Sequence, residues 1–208
     1  MKTEGMTEEQ INERHARKMA AKKAARDKII ATKTIEKGLI MVHTGKGKGK
    51  STAAFGLAAR AIGNDMRVGV VQFVKGKWST GERKVFDAFP DLIDHFSMGE
   101  GFTWDTQDRA RDIAAAQGAW KRAKEMILDD SYQMVILDEL NIVLRYDYIP
   151  IEEIIEFLTT QKPEMKHVVI TGRNAKDELI EIADLVTEMT MIKHPFRDGV
   201  KAQVGIEF

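Results

Sequence analysis

Apolar residues occur along this chain in short continuous runs that are separated by longer amphipathic stretches. Runs of this kind are typical of strands buried on both faces of a parallel sheet, and they cover residues 39–42, 68–74, 134–137 and 168–170. Helical periodicity occupies the intervals, at residues 51–62, 107–128, 150–158 and 177–182. The tail adds two candidate edge strands, at 185–191 and 203–208. This alternation predicts an α/β fold, an open and mostly parallel sheet with helices on both faces.

The first 37 residues follow a different pattern and predict a basic N-terminal helical arm, residues 1–37, ahead of a phosphate-loop domain at 38–208. The arm carries ten Lys or Arg residues against six acids. Thr7 and Gln10 have capping-box spacing, so the helix should begin near Glu8. Its apolar stripe is thin. Either the arm is solvated, or it is a helix that docks on a partner subunit or closes over a site.

Composition narrows the classes of function. The chain has 208 residues, of which 31% are charged and 43% hydrophobic, and its formal net charge is zero. A neutral protein has no global attraction to nucleic acid or to acidic membranes. The absence of cysteine excludes disulfides, thiol catalysis and cysteine-ligated metals. With neither a secretory signal pattern nor an apolar run of membrane-spanning length, we expect a cytoplasmic protein without nucleic-acid or membrane partners.

The strongest motif is a glycine-rich loop between the first predicted strand and the helix that follows it. Glycines allow successive backbone N–H groups to face an anion, and the helix N-terminus adds to that field. Lys50 should then reach the outer phosphates of a nucleotide, and Ser51 should supply a hydroxyl to magnesium. Thr44 stands where the consensus GxxxxGK[ST] has its first glycine. The context predicts nucleotide binding; the alternative is a chance loop of glycines and lysines.

Two further lysines increase the positive charge of this loop. Lys46 and Lys48 exceed what nucleotide binding normally needs. They are either a solvated pair or groups that stabilise an unusually charged species, such as a whole triphosphate.

Polar residues also follow two other predicted strands. Asp138 and Glu139 come directly after the apolar run 134–137, and Arg173 follows 168–170. A carboxylate at this position of a phosphate-loop protein holds Mg²⁺, with Ser51 as the hydroxyl ligand. Alternation along a strand implies that only one of the two acids reaches the metal directly. The alternative is a strand that ends in solvated acids.

A second unusual stretch, residues 99–106, lies between a strand-like run at 92–97 and the long helix. It carries Phe102 and Trp104 between glycines. These aromatics are either plugs of the core or a flat apolar surface for a planar ligand. We expect His43 and His194 to be structural.

Taken together, these stretches resemble the ATP:corrinoid adenosyltransferases of the CobA/CobO/BtuR type. The resemblance covers about residues 38–208, and its most specific part is GFTWDT. It rests on HTGKGKGKSTAAFG at 43–56, VVQFVKG at 70–76, GFTWDT at 101–106, LDEL at 137–140 and KAQVGIEF at 201–208.

The resemblance implies a fold of the P-loop NTPase, RecA-like kind and a defined reaction. The 5′-deoxyadenosyl group of ATP, the co-substrate, would pass to the cobalt of a reduced corrinoid, and triphosphate would leave. The resemblance implies Mg²⁺ (or Mn²⁺), a reduced flavoprotein as electron donor and a homodimer whose N-terminal helix lies over a partner's site. The corrinoid is cobalamin, cobinamide or an earlier pathway intermediate such as cobyrinate diamide.

The resemblance also implies roles for individual residues. Phe102 and Trp104 would lie beneath the corrin ring and help to displace the lower axial ligand, and with Lys50 and Glu139 they form the candidate catalytic set. The metal set is Ser51, Asp138 and Glu139. The nucleotide-binding set is Thr44, Gly45, Lys46, Gly47, Lys48, Gly49, Lys50, Ser51, Thr52 and Arg173.

Three other functions are compatible with parts of the pattern. A phosphate-loop ATPase or small-molecule kinase would release ADP and would have no use for exposed aromatics in 99–106. A RecA-like, nucleic-acid-binding ATPase would use the basic arm and show strong salt dependence. A non-catalytic corrinoid carrier would bind the ring and leave ATP intact.

Overall fold

The computed structural model describes residues 5–74, 81–97 and 108–206. The chain divides into two compact units, Met1–Glu36 and Lys37–Phe208. In the first unit, helix α1 (Glu8–Ala31) begins where the capping box predicts. The Thr7 N–H donates to Gln10 Oε1 at 3.1 Å, and the Gln10 N–H donates to Thr7 Oγ1 at 3.3 Å. No residue of α1 is buried, so capping and local ion pairs, not a core, support this helix.

The second unit contains a six-stranded sheet in which every pairing is parallel. The strand order is β3-β2-β4-β5-β1-β6. The strands are β1 (Ile40–Thr44), β2 (Val68–Gln72), β3 (Ile93–Ser97), β4 (Met134–Asp138), β5 (His167–Thr171) and β6 (Leu185–Glu188). The predicted parallel sheet is therefore confirmed, and the strand predicted at 185–191 is confirmed over Leu185–Glu188.

The prediction of a second edge strand at 203–208 is wrong for residues 203–206, which are the part that the structure describes. Val204 and Ile206 are 84% and 80% exposed, and Gly205 has a left-handed backbone with φ of 81°. The Ile206 N–H donates to the Gln203 carbonyl at 3.1 Å, so the segment turns back on itself. The apolar alternation here is not matched by a neighbouring strand.

The helices of this unit connect the strands. Those predicted from periodicity are present, with α2 beginning one residue early and the helix after Pro150 extending to residue 160. Two short helices, α3 and α5, were not predicted. The helices are α2 (Lys50–Ile62), α3 (Gly81–Phe86), α4 (Arg109–Leu128), α5 (Leu140–Arg145), α6 (Ile151–Thr160) and α7 (Asp177–Ile182), and a 3-10 turn covers Pro195–Asp198.

Both faces of the sheet are covered, as the continuous apolar strands predict. Val135 and Leu137 of β4 belong to the cluster formed with α4 to α7. Met134 and Ile136 point to the opposite face and pack with Phe55 and other residues of α2. Among the helices of the described ranges, none combines the length and the apolarity needed to cross a membrane.

The strand order decides where the site forms. β4, β5 and β1 are consecutive neighbours in the sheet. Their carboxyl ends therefore lie side by side, which is where open α/β sheets bind ligands. The segments that follow the last residues of these strands, Thr44, Asp138 and Thr171, meet at this edge.

Candidate active site

The phosphate loop joins β1 to α2, and its glycines are required by geometry. Gly45 and Gly49 have φ of 97° and 105°, in the left-handed region that favours glycine. A Cβ atom on Gly45 would lie 2.4 Å from the Met189 carbonyl oxygen, and one on Gly47 would lie 2.7 Å from it. The Gly47 N–H donates to that carbonyl at 2.6 Å. The segment after β6 therefore supports the loop from one side.

Lys50, the first residue of α2, is the buried cation of the site. Only 7% of it is exposed, and its Nζ donates to the Gly47 carbonyl at 2.6 Å. Burial lowers the pKa of Lys50, the Glu139 and Asp138 carboxylates oppose that change, and the Arg173 and Lys48 cations reinforce it. The predicted basic and acidic residues thus lie within electrostatic reach of one ammonium group.

The remaining loop residues differ in exposure. Ser51 is half-buried in the first turn of α2, whereas Lys46, Lys48 and Thr52 are exposed. Exposed lysines at a loop mouth can meet an anion that arrives from solvent. His43 is buried, and its Nδ1 lies 3.3 Å from the Lys50 carbonyl oxygen; this contact is structural, as expected for that residue.

Thr44, the departure from the glycine consensus, has a contact that a glycine could not make. Its Oγ1 accepts the Ala175 N–H at 3.0 Å. The loop after β5 is also held by the Gly172 N–H, which donates to the His43 carbonyl at 3.2 Å, and by Asn141 Nδ2, which donates to the Gly172 carbonyl at 3.0 Å. The loop that carries the exposed Arg173 is therefore anchored to the end of β1 and to α5.

The two acids at the end of β4 lie in different environments. Asp138 is fully buried, and its Oδ2 and Oδ1 accept hydrogen bonds from Gln72 Nε2 and Thr171 Oγ1, both at 2.8 Å. Glu139 is half-buried and left-handed, with φ of 63° and ψ of 22°. Its N–H donates to Thr171 Oγ1 at 2.9 Å. The sequence analysis assigned no role to Gln72 or Thr171, although a glutamine within the apolar run 68–74 was an available signal.

The donor set fits a magnesium ion that is bound together with phosphates. Over the described ranges, no group of three or more His, Cys, Asp and Glu residues could form a protein-only metal cage. The hard oxygen donors among the predicted metal ligands are the Ser51 hydroxyl and the carboxylates of Glu139 and Asp138, of which Ser51 and Glu139 are half-buried and Asp138 is fully buried. Mg²⁺ typically combines one or two such ligands with water and substrate phosphates, and Mn²⁺ favours similar oxygen donors.

The C-terminal segment borders the phosphate loop. A cavity of ≈ 220 Å³ is lined by Lys48 and by residues between His194 and Ile206. His194 Nδ1 accepts the Phe196 N–H at 3.2 Å and so caps the 3-10 turn, which is the structural role expected for this histidine. Phe102 and Trp104 lie outside the described residues.

Three features define a phosphate-loop α/β protein. They are a glycine-rich loop between β1 and α2, a buried lysine at the helix start, and acids at the end of β4, which β5 separates from β1. A family model described as ATP:corrinoid adenosyltransferase BtuR/CobO/CobP matches residues 36–208. The chain belongs to this family, as the sequence resemblance implies, and it is a transferase.

Curated relatives agree over nearly the whole chain. A corrinoid adenosyltransferase of Sinorhizobium sp. is 62% identical over 201 residues, which cover 96% of this chain and 94% of the relative. One from Pseudomonas aeruginosa is 50% identical over 197 residues, covering 95% and 97% of the two chains. One from Escherichia coli K12 is 45% identical over 197 residues, covering 95% and 99%.

Proposed function

We propose that this enzyme transfers the 5′-deoxyadenosyl group of ATP to the cobalt of a reduced corrinoid and releases triphosphate. The observation that carries the proposal is the buried Lys50 within a phosphate loop, surrounded by Lys48, Arg173 and Glu139, in a chain of this family. A polyanion would add negative charge next to the three cations Lys48, Lys50 and Arg173.

The reaction places few chemical demands on the protein. The electron pair of the cobalt(I) centre attacks the ribose 5′ carbon, a cobalt–carbon bond forms and the carbon–oxygen bond to the triphosphate breaks. The electrons of the broken bond leave with the triphosphate, and the cobalt is formally oxidised. Because the corrinoid is itself the nucleophile, no protein base is required. The protein must align ATP with the corrinoid and stabilise the departing charge.

The residues of the loop suit that task. Lys50 and the loop amides other than that of Gly47, whose N–H donates to the Met189 carbonyl, would bind the triphosphate. Lys46, Lys48, Thr52 and Arg173 would contact it from the exposed side. Ser51 and Glu139, with Asp138 nearby, would hold Mg²⁺ or Mn²⁺. When bound, the cation adds positive charge next to the phosphates. Burial lowers the pKa of Lys50, and a triphosphate would oppose that effect and keep the ammonium charged.

Other parts of the proposal rest on family membership. Phe102 and Trp104 would lie beneath the corrin ring, and a reduced flavoprotein would deliver the electron that forms cobalt(I). We also propose a cytoplasmic homodimer whose N-terminal helix lies over a partner's site. The acceptor is cobalamin, cobinamide or cobyrinate diamide.

Anaerobic incubation with ATP, Mg²⁺ and chemically reduced cobalamin tests the reaction directly. The expected result is a light-sensitive cobalt–carbon product together with one triphosphate for each product molecule. ADP with an unchanged corrinoid would overturn the proposal in favour of an ATPase or a kinase. An unchanged nucleotide with a bound corrinoid would identify a carrier.

A further inference from the structure

The carboxyl edge of the sheet contains three buried polar residues whose roles the proposed function leaves unassigned or incomplete. Gln72, Asp138 and Thr171 end β2, β4 and β5, and they are 4%, 0% and 0% exposed. Each lies two positions after a residue that packs against α2, and side chains alternate along a strand, so all three point to the α2 face. Those preceding residues are Val70, Ile136 and Val169. Because the phosphate loop leads into α2, these polar side chains lie on the same side of the sheet as the helix that follows the loop.

The three side chains form one continuous chain of hydrogen bonds. Gln72 is the register partner of Asp138, and its Nε2 donates to Asp138 Oδ2 at 2.8 Å. On the other side, Thr171 Oγ1 donates to Asp138 Oδ1 at 2.8 Å. The same Thr171 Oγ1 accepts the N–H of Glu139 at 2.9 Å. The Thr171 hydroxyl donates its hydrogen to the carboxylate, so a lone pair is directed to the Glu139 backbone.

Asp138 is suited to an internal role. A buried carboxylate is costly unless hydrogen bonds and nearby positive charge compensate it. Here each of its oxygens accepts a hydrogen bond from a protein side chain, and Lys50 lies within electrostatic reach. These contacts give Asp138 a fixed orientation and direct it towards its neighbours in the sheet.

Glu139 is the residue that this chain of hydrogen bonds controls. Its left-handed backbone, with φ of 63°, is uncommon for a residue other than glycine and requires support from its surroundings. The Thr171 hydroxyl provides a hydrogen-bond partner for its N–H at this point. The backbone conformation in turn decides where the Glu139 side chain leaves the sheet.

We infer that Gln72, Asp138 and Thr171 are positioning residues for the metal–triphosphate site. They hold the backbone of Glu139 so that its carboxylate, and not that of Asp138, serves the metal directly. This inference rests on the proposed function, and it assigns to Gln72 and Thr171 a role in the same reaction.

Binding of Mn²⁺ to the protein–ATP complex, measured by electron paramagnetic resonance without corrinoid, tests the inference apart from turnover. Thr171→Val keeps the shape of the side chain and removes its hydroxyl. We expect the Mn²⁺ dissociation constant to rise about tenfold or more, as is typical when a residue that orients a metal ligand is changed. Thr171→Ser keeps the hydroxyl and should restore most of the affinity. Gln72→Met removes one hydrogen bond to Asp138 and should weaken binding less than Thr171→Val does.

Val135→Ala is the control for a general loss of stability. Val135 is fully buried in the same strand, β4, but on the opposite face of the sheet. It should lower the melting temperature and leave Mn²⁺ affinity unchanged. Wild-type affinity in both Thr171→Val and Gln72→Met, or an equal loss in Val135→Ala, would overturn the positioning role. If the wild-type protein with ATP bound no Mn²⁺, the metal site of the proposed function would fail together with this inference. If the wild-type protein bound Mn²⁺ and the variants bound it equally well, this inference would fail and the proposed function would stand.

Discussion

At the scale of single residues, Lys50 combines burial with charge in a way that an ordinary surface lysine does not. Its Nζ spans the phosphate loop to the Gly47 carbonyl, and its pKa is lowered by burial. Lys50 therefore carries positive charge that water screens poorly. Such a group stabilises a leaving polyanion better than an exposed cation does.

Replacement of this lysine tests that charge. We expect Lys50→Ala to reduce adenosylation by about 10²-fold or more, the loss typical of removing one preorganised electrostatic contact. Lys124→Ala is the matched control, because Lys124 pairs with Glu153 away from the loop and should keep wild-type turnover. The measurement is the initial rate of triphosphate release with prereduced cobalamin. Turnover by Lys50→Ala close to that of the control would contradict the role given to Lys50.

Phe102 and Trp104 allow a prediction that separates two steps. If they displace the lower ligand of cobalt, Phe102→Ala and Trp104→Ala should slow reaction from cobalt(II) by about tenfold, equivalent to about 1.4 kcal/mol. Reaction from prereduced cobalt(I) should change little, because the reduction has already occurred. Rates measured from both oxidation states provide the comparison. Equal losses on the two substrates would be incompatible with this role.

At the scale of elements, the phosphate loop depends on the segment that follows β6. Gly45 lies against the Met189 carbonyl, and the Met189 N–H donates to the Thr44 carbonyl at 2.9 Å. The segment after β6 therefore shapes the loop without containing a predicted site residue. A glycine at position 45 meets a steric requirement in addition to a need for left-handed torsion.

Two glycine substitutions distinguish this requirement from a general effect of glycine. Gly45→Ala should lower both thermal stability and ATP affinity, because its Cβ would lie 2.4 Å from a backbone oxygen. Gly56→Ala is the matched control within α2, where a Cβ has no atom within 4 Å. It should stabilise the helix by about 0.5–1 kcal/mol. Calorimetry would measure ATP binding and unfolding for both variants, and normal ATP binding by Gly45→Ala would refute the steric argument.

At the scale of the whole molecule, the two edges of the sheet hold different polar networks. The carboxyl edge carries the candidate site. At the amino edge, Arg67 and the Tyr132 hydroxyl both donate to Asp94 Oδ2 at 2.7 Å, and the Arg67 guanidinium stacks over the Tyr132 ring. This second network joins β2, β3 and the start of β4, and we assign it to stability.

The network predicts a pH dependence of folding. Burial and the hydrogen bond to Asp94 raise the pKa of Tyr132 from 10.0 to about 12. The pKa of Tyr132 is higher in the folded state than in the unfolded state, so its ionisation equilibrium stabilises the fold. This contribution is fully present below pH 10 and is lost as the pH rises towards about 12. Chemical denaturation across this range should therefore show the stability difference between wild type and Tyr132→Phe shrinking. Burial lowers the pKa of Lys162 and Lys166, but both lysines are present in the two proteins, so their effect cancels. A constant difference would contradict the prediction.

Much of this protein could be predicted from local patterns alone. Apolar runs of strand length and helical periodicity predicted the α/β class. A strand buried on both faces needs consecutive apolar residues, and a helix buried on one face needs periodic ones, so both patterns are local. The phosphate loop and the acids after β4 were likewise visible as contiguous motifs. The short helices α3 and α5 were not predicted, because six residues give only a weak period, although α7, which has the same length, was predicted.

Only the tertiary structure decided which distant residues meet. Gln72 and Asp138 are 66 positions apart, and Thr44 and Ala175 are 131 apart. Their contacts depend on the strand order and on the register of β2, β4, β5 and β1, which no local pattern encodes. For the same reason, the sequence shows only that Thr44 departs from the motif, whereas the structure shows its contact with the loop after β5. Sequence thus determined which elements and motifs exist, whereas long-range strand pairing decided which buried polar groups orient them.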